Sequence, residues 1–81
     1  MNRIRVVLGD DHELVREGIK ALLASSGVEV AGDAGDGRAL VCVVRRKRPE
    51  IALVDVSMPI LNGIEAIRRI RRVSPCLLYT S

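Results

Sequence analysis

Aromatic residues are almost missing from this 81-residue chain, which has no Phe, no Trp and a single Tyr, Tyr79. Any core must therefore be built from Val, Ile, Leu and Ala, and bases of a nucleic acid find no aromatic platform to stack on. Cysteine is scarce too. Cys42 and Cys76 show neither CxxC nor His-paired spacing, which argues against a zinc site and against a disulfide framework. No apolar run approaches the roughly 20 residues of a membrane span. The N-terminal MNRIRVVLGDDH reaches charge within a few apolar residues, unlike a secretory leader. A cytoplasmic setting without membrane contact is expected. Internal repeats and low-complexity linkers are also lacking, and the length allows one domain at most.

What is present suits a folded domain: 48% of residues are hydrophobic and 28% charged. The net charge is +3, and eleven of the thirteen cations are Arg, seven of them gathered in RRKR at Arg45–Arg48 and RRIRR at Arg68–Arg72. Such runs can mark nucleic-acid contact. Beside apolar residues at helical spacing they read instead as the solvated faces of helices.

Ile4–Leu8 (IRVVL) is rich in β-branched residues and stops at Gly9-Asp10-Asp11, as a buried strand does on meeting a polar rim. From Glu13 to Ser25, Val15, Ile19, Leu22 and Leu23 fall at helical spacing, and Gly27 closes the helix. Val28–Ala31 reads as a second strand, followed by a loop over Gly32–Gly37 (GDAGDG). Arg38–Arg48 has strand-like Val41, Val43 and Val44. Pro49 and the plain strand Ile51–Val54 follow, and a parallel pair needs a crossover, so a helix is expected there. Asn62 with Glu65 three residues on resembles an N-cap opening a helix whose Ile64, Ile67 and Ile70 share one face. The order β-α-β-α-β-α implies an α/β fold, with a parallel sheet and helices on both faces.

Ligands of open α/β sheets bind beyond the carboxyl ends of the strands, where strand order reverses. The first strand ends at Asp10-Asp11 and the third at Asp55. If the two strands are neighbours, three carboxylates converge, and they either raise their own pKa values or hold a cation. Hard oxygen donors favour Mg²⁺ over zinc or copper. A metal beside a carboxylate at a strand end also suits phosphoryl transfer. On spacing alone a plainer reading stands equally: Asp10 and Asp11 cap a helix and Asp55 ends a strand. His12, beside the Asp pair at a helix start, is read as structural. Gly32–Gly37 has the wrong order and place for a dinucleotide fingerprint.

VVLGDDHELVREGI at Val6–Ile19 and DVSMPILNGIEAIRRI at Asp55–Ile70 resemble response-regulator receiver domains of two-component systems. The DDH opening and the Gly35–Gly37 GDG are similar to the subgroup that usually carries a C-terminal helix-turn-helix. The resemblance implies a partial flavodoxin-like (βα)5 fold, with three parallel strands and three helices present over residues 1–75. It further implies that Asp55 is the phosphoacceptor. Asp10, Asp11, Asp55 and the backbone carbonyl of Ser57 would be the Mg²⁺ ligands, with Asp11 closer than Asp10. Pro59 and Gly63 would shape the loop after the acceptor. The partner would be a sensor histidine kinase, and DNA would be reached only through an output domain that this chain lacks.

After Ser74-Pro75 the resemblance stops. Cys76–Ser81 (CLLYTS) looks like translated sequencing-adaptor sequence and is expected to be a tail foreign to the family, with Thr80 too early for the family's switch hydroxyl. A fourth strand is not expected, which leaves the third strand as an edge open to homodimer pairing. Three functions compete: a signalling receiver without enzymatic turnover, an inactive truncated interaction fragment, and a Mg²⁺-dependent phosphohydrolase with an Asp nucleophile. Against the last, Ser57 stands where such enzymes commonly place a second Asp.

Overall fold

The first strand of the chain is central in the sheet. The computed structural model describes residues 3–55, 58, 63–73 and 77–80. Strand β1 (Arg5–Gly9) buries Val6, Val7 and Leu8 almost completely, the apolar run expected of a strand covered on both faces. It pairs in parallel with β2 (Glu29–Ala34) on one side and β3 (Ile51–Val54) on the other. Helix α1 (Glu13–Ser25) connects β1 to β2, and α2 (Gly37–Lys47) carries the chain back across β1 to β3. Helix α3 (Gly63–Val73) leads to β4 (Leu77–Thr80), and the sheet order is β2-β1-β3-β4. Strand order thus reverses at β1.

Alternation along the strands divides the side chains between two faces. Val7, Ala52 and Val54 pack with Leu40, Val41 and Val44 of α2 and with Ala66 and Ile70 of α3 in the main core. On the other face, Val6, Ile51 and Leu53 line an apolar groove with Ile4, Val28 and Leu23 of α1. Helix α1 covers this face thinly and has no buried residue. Of the four apolar positions at helical spacing, Ile19 and Leu23 are half-buried, while Val15 and Leu22 are exposed.

The strand-like segment after Gly37 is a helix. Asp36 accepts a hydrogen bond from the Ala39 N–H at 2.8 Å and caps α2. The helix closes at Arg48 in the left-handed region (φ 47°, ψ 62°), just before Pro49. Leu40, Val41 and Val44 face the core, and Arg45–Arg48 are exposed. The Arg residues at 68, 69, 71 and 72 are exposed as well.

Two expectations need correction. Gly32–Gly37 is not all loop, since β2 runs on through Ala34. Gly32, Asp33 and Ala34 pair with Val7, Leu8 and Gly9, and that pairing outweighs a turn-like composition. Gly32 also admits α2 at close range, as a Cβ there would lie 2.7 Å from Val43 Cγ1. Among the described residues the sheet, secondly, holds a fourth strand beside the three expected. Leu77–Thr80 pairs in parallel with Ile51–Val54, so β3 is interior and the open edges belong to β2 and β4. A β3-α3-β4 crossover delivers the chain to the free side of β3, and Leu-Leu-Tyr-Thr suits a strand once a neighbour is there to pair with. The proposed Asn62 cap lies outside the described residues.

Candidate functional site

The two acidic strand ends are tied together by backbone hydrogen bonds. The Asp10 N–H donates to the Ala34 carbonyl at 3.0 Å, and the Asp55 N–H donates to the Gly9 carbonyl at 2.9 Å. These bonds carry the β1 ladders one residue beyond Gly9 and set Asp10 and Asp55 on one rim. The rim is the carboxyl end of the sheet at its switch point, the place where α/β sheets bind ligands.

Asp10 is the only buried charged residue among those described, at 7% exposure. Its Oδ1 accepts the His12 N–H at 2.8 Å, a local turn that leads into α1. One oxygen each of Asp10, Asp11 and Asp55 and one ring nitrogen of His12 all lie within 4.8 Å of one another. The condition set by the sequence, that the first and third strands be neighbours, is therefore met.

His12, expected to be structural, has its ring among the three acids. Its Nδ1 lies 3.1 Å from Asp10 Oδ1, 3.0 Å from Asp11 Oδ1 and 3.9 Å from Asp55 Oδ2. The hydrogen bond with Asp10 raises the imidazole pKa above its ordinary 6.5, and the charge of Asp11 adds to this. Desolvation works the other way, and the charges of Asp10 and Asp55 contribute smaller increases. No signal along the chain marks this role, because Asp55 is 43 positions away from His12 and comes near only through the β1–β3 pairing.

Met58, three residues after Asp55, is 2% exposed and belongs to the core, and its N–H donates to the Asp55 carbonyl at 3.3 Å. Ser57 and Pro59 lie outside the described residues. Thr80 is the residue expected to fall too early for the family's switch hydroxyl. The parallel register puts it beside Val54, one position before Asp55 on the neighbouring strand.

As a donor set, the rim offers carboxylate oxygens from three residues at close quarters, with solvent access at Asp11. Hard oxygen donors with room for water fit Mg²⁺ and are a poor match for soft metals. Cys42 is a free, exposed thiol outside the cluster. No helix among the described residues is long and apolar enough to cross a membrane.

Residues 6–81 match the family model of the response regulator receiver domain, a match that runs through the segment expected to be foreign. The transcriptional regulatory protein DegU of Brevibacillus brevis is 44% identical over 68 residues, which are 83% of this chain and 29% of that protein. The signal receiver domain of the response regulator NarL from Mycobacterium tuberculosis superposes with a TM-score of 0.83 at 37% identity, over 99% of this chain and 68% of that one. The response regulator domain of Thermotoga maritima CheB gives a TM-score of 0.93 at 32% identity, over 98% and 60%. The chain spans about a third of the length of the curated relatives it matches. With its parallel α/β sheet, its acidic rim at the switch point and these matches, the chain belongs to the response regulator receiver domain family.

Proposed function

We propose that this chain is a cytoplasmic phosphoacceptor module in which Asp55 takes a phosphoryl group from a sensor histidine kinase. The observation that carries the reading is the convergence of Asp10, Asp11 and Asp55 at the carboxyl ends of two neighbouring strands. A carboxylate oxygen of Asp55 attacks phosphorus, and a P–O bond forms as the P–N bond of the kinase's phosphohistidine breaks. The donor imidazole keeps the electron pair of that bond, and Asp55 becomes an acyl phosphate. The Asp55 N–H bond to Gly9 holds the backbone of the acceptor while its side chain reacts. Asp10 and Asp11, with Asp55 and the Ser57 carbonyl, would hold Mg²⁺, Asp11 being the more accessible of the first two. When bound, the cation offsets charge on the phosphoryl oxygens.

Ser57 in place of a second acid favours signalling over phosphoester turnover. Output on transcription, through a further domain, is the reading that the regulatory relatives favour. Treatment with acetyl phosphate and Mg²⁺ should label the chain at Asp55, and Asp55→Asn should abolish the label because an amide is a poor nucleophile. Undiminished labelling of that variant would sink the assignment.

A further inference from the structure

Arg16 lies in the first turn of α1, and its backbone N–H donates to the His12 carbonyl at 2.8 Å. Its guanidinium turns back across the end of the sheet. Nη1 donates to the backbone carbonyl of Asp10 at 2.6 Å, and Nε donates to Asp33 Oδ2 at 2.8 Å. We infer that Arg16, paired with Asp33, is a positioning residue that holds Asp10 in place for the divalent cation. The inference rests on the metal reading given above and adds residues to it.

Asp10 is the buried member of the rim, so its placement depends on how its backbone is held. The N–H is bound to β2 through the Ala34 carbonyl, and the C=O is bound to Arg16. Together these bonds leave the carboxylate little freedom beyond its own side-chain torsions. The guanidinium serves the carbonyl and the Asp33 carboxylate from two nitrogens held in one rigid plane, whereas the donors of a Lys ammonium rotate about a flexible stem and fix neither partner's direction.

The arrangement also differs from an ordinary surface ion pair. Arg5 and Glu29, also linking β1 and β2, sit 3.4 Å apart with 37% and 49% of their side chains exposed, a geometry that contributes little. Arg16 is 18% exposed and Asp33 28%. Gly35 leaves space for the bridge, since a Cβ there would stand 3.1 Å from Arg16 Nη1. The Asp33 carboxylate offsets the guanidinium charge, so the backbone is held without an uncompensated cation beside a cation site. Lys20 reaches Asp33 Oδ1 at 3.4 Å and supplies a control, because it shares Asp33 with Arg16 and no bond of its own joins it to the Asp10 carbonyl.

The test is a Mg²⁺ titration of the ¹⁵N-labelled 81-residue chain, following the Asp11, His12 and Asp55 amides. The Val7 and Ala52 amides, inside the β1–β3 ladder, report whether each variant keeps the fold. Arg16→Met should weaken Mg²⁺ binding about 10- to 100-fold, the usual loss for an outer-shell partner. Arg16→Lys should fall between that variant and the wild type, and it carries the decision where Arg16→Met loses the ladder. Lys20→Met should bind as the wild type does. Wild-type affinity in folded Arg16→Met, or in Arg16→Lys where that variant decides, would overturn the inference alone. An equal loss in Lys20→Met would do the same, by reducing Arg16 to a tie between α1 and β2. A wild-type chain whose rim amides ignore Mg²⁺ would overturn the metal reading and the inference together.

Discussion

The contact between Gly9 and Leu40 offers a quantitative test of how the rim is supported by the core. Gly9 is the last residue of β1, directly before the acid pair, and its carbonyl receives the Asp55 N–H. A Cβ at position 9 would meet Leu40 Cδ2 at 2.6 Å, Met58 Cε at 3.1 Å and Leu40 Cδ1 at 3.2 Å. Carbon atoms rest at about 3.5–4.0 Å, so the nearest methyl must retreat by about 1 Å. Leu40 is fully buried and Met58 nearly so, and a close-packed core resists such shifts.

Gly9→Ala should therefore cost about 1–3 kcal/mol through overpacking. Leu40→Ala alone should cost about 2–5 kcal/mol by leaving a cavity. In the double variant the new methyl occupies part of that cavity and keeps only the longer approach to Met58 Cε, at 3.1 Å. The two losses should then fall short of additivity by at least about 1 kcal/mol, within the range seen for contacting residues. Urea unfolding of the four proteins, followed by far-UV circular dichroism, closes the cycle. A double variant that is additive to within about 0.5 kcal/mol would refute the packing argument.

The remaining expectations concern the acids and His12. Asp11→Ala should weaken Mg²⁺ binding by more than about tenfold, the loss that even outer-shell partners cause. Glu13→Ala, at the exposed start of α1, should change it little, and equal losses by calorimetry would reduce the cluster to a diffuse acidic rim. Without metal, the three acids favour the imidazolium and hold the His12 pKa above 6.5. Mg²⁺ competes for the same carboxylates, so adding it should move the His12 pKa back down, and protons should be released on binding near neutral pH. An NMR titration of the ring protons that shows the same pKa with and without saturating Mg²⁺ would contradict this.

Much of this molecule follows from local pattern. The apolar run before Gly9, the Ile spacing after Asn62 and the stop at Pro49 need only neighbouring residues to be read, and each marks an element now seen, although of the three Ile residues Ile67 and Ile70 join the core while Ile64 is exposed. The acids at strand ends are legible for the same reason: a buried strand that meets solvent must end in polar residues. Even the ambiguous Arg38–Arg48 yields to a chain-level rule, since two parallel strands require a crossover.

What the tertiary structure decided are matters of pairing between distant segments. Gly32–Ala34 is extended because β1 lies beside it to pair with it, and its composition alone points to a turn. Leu77–Thr80 is a strand because the outer side of β3 was free to receive it; read without that neighbour it looks like a foreign tail. His12 and Arg16 lie in a stretch whose spacing says only that a helix begins. Their partners, Asp55 and Asp33, come from strands 43 and 17 positions further on, and the sheet register brings them within reach. Periodicity reports which face of an element is buried, but not which residue of another element will stand opposite.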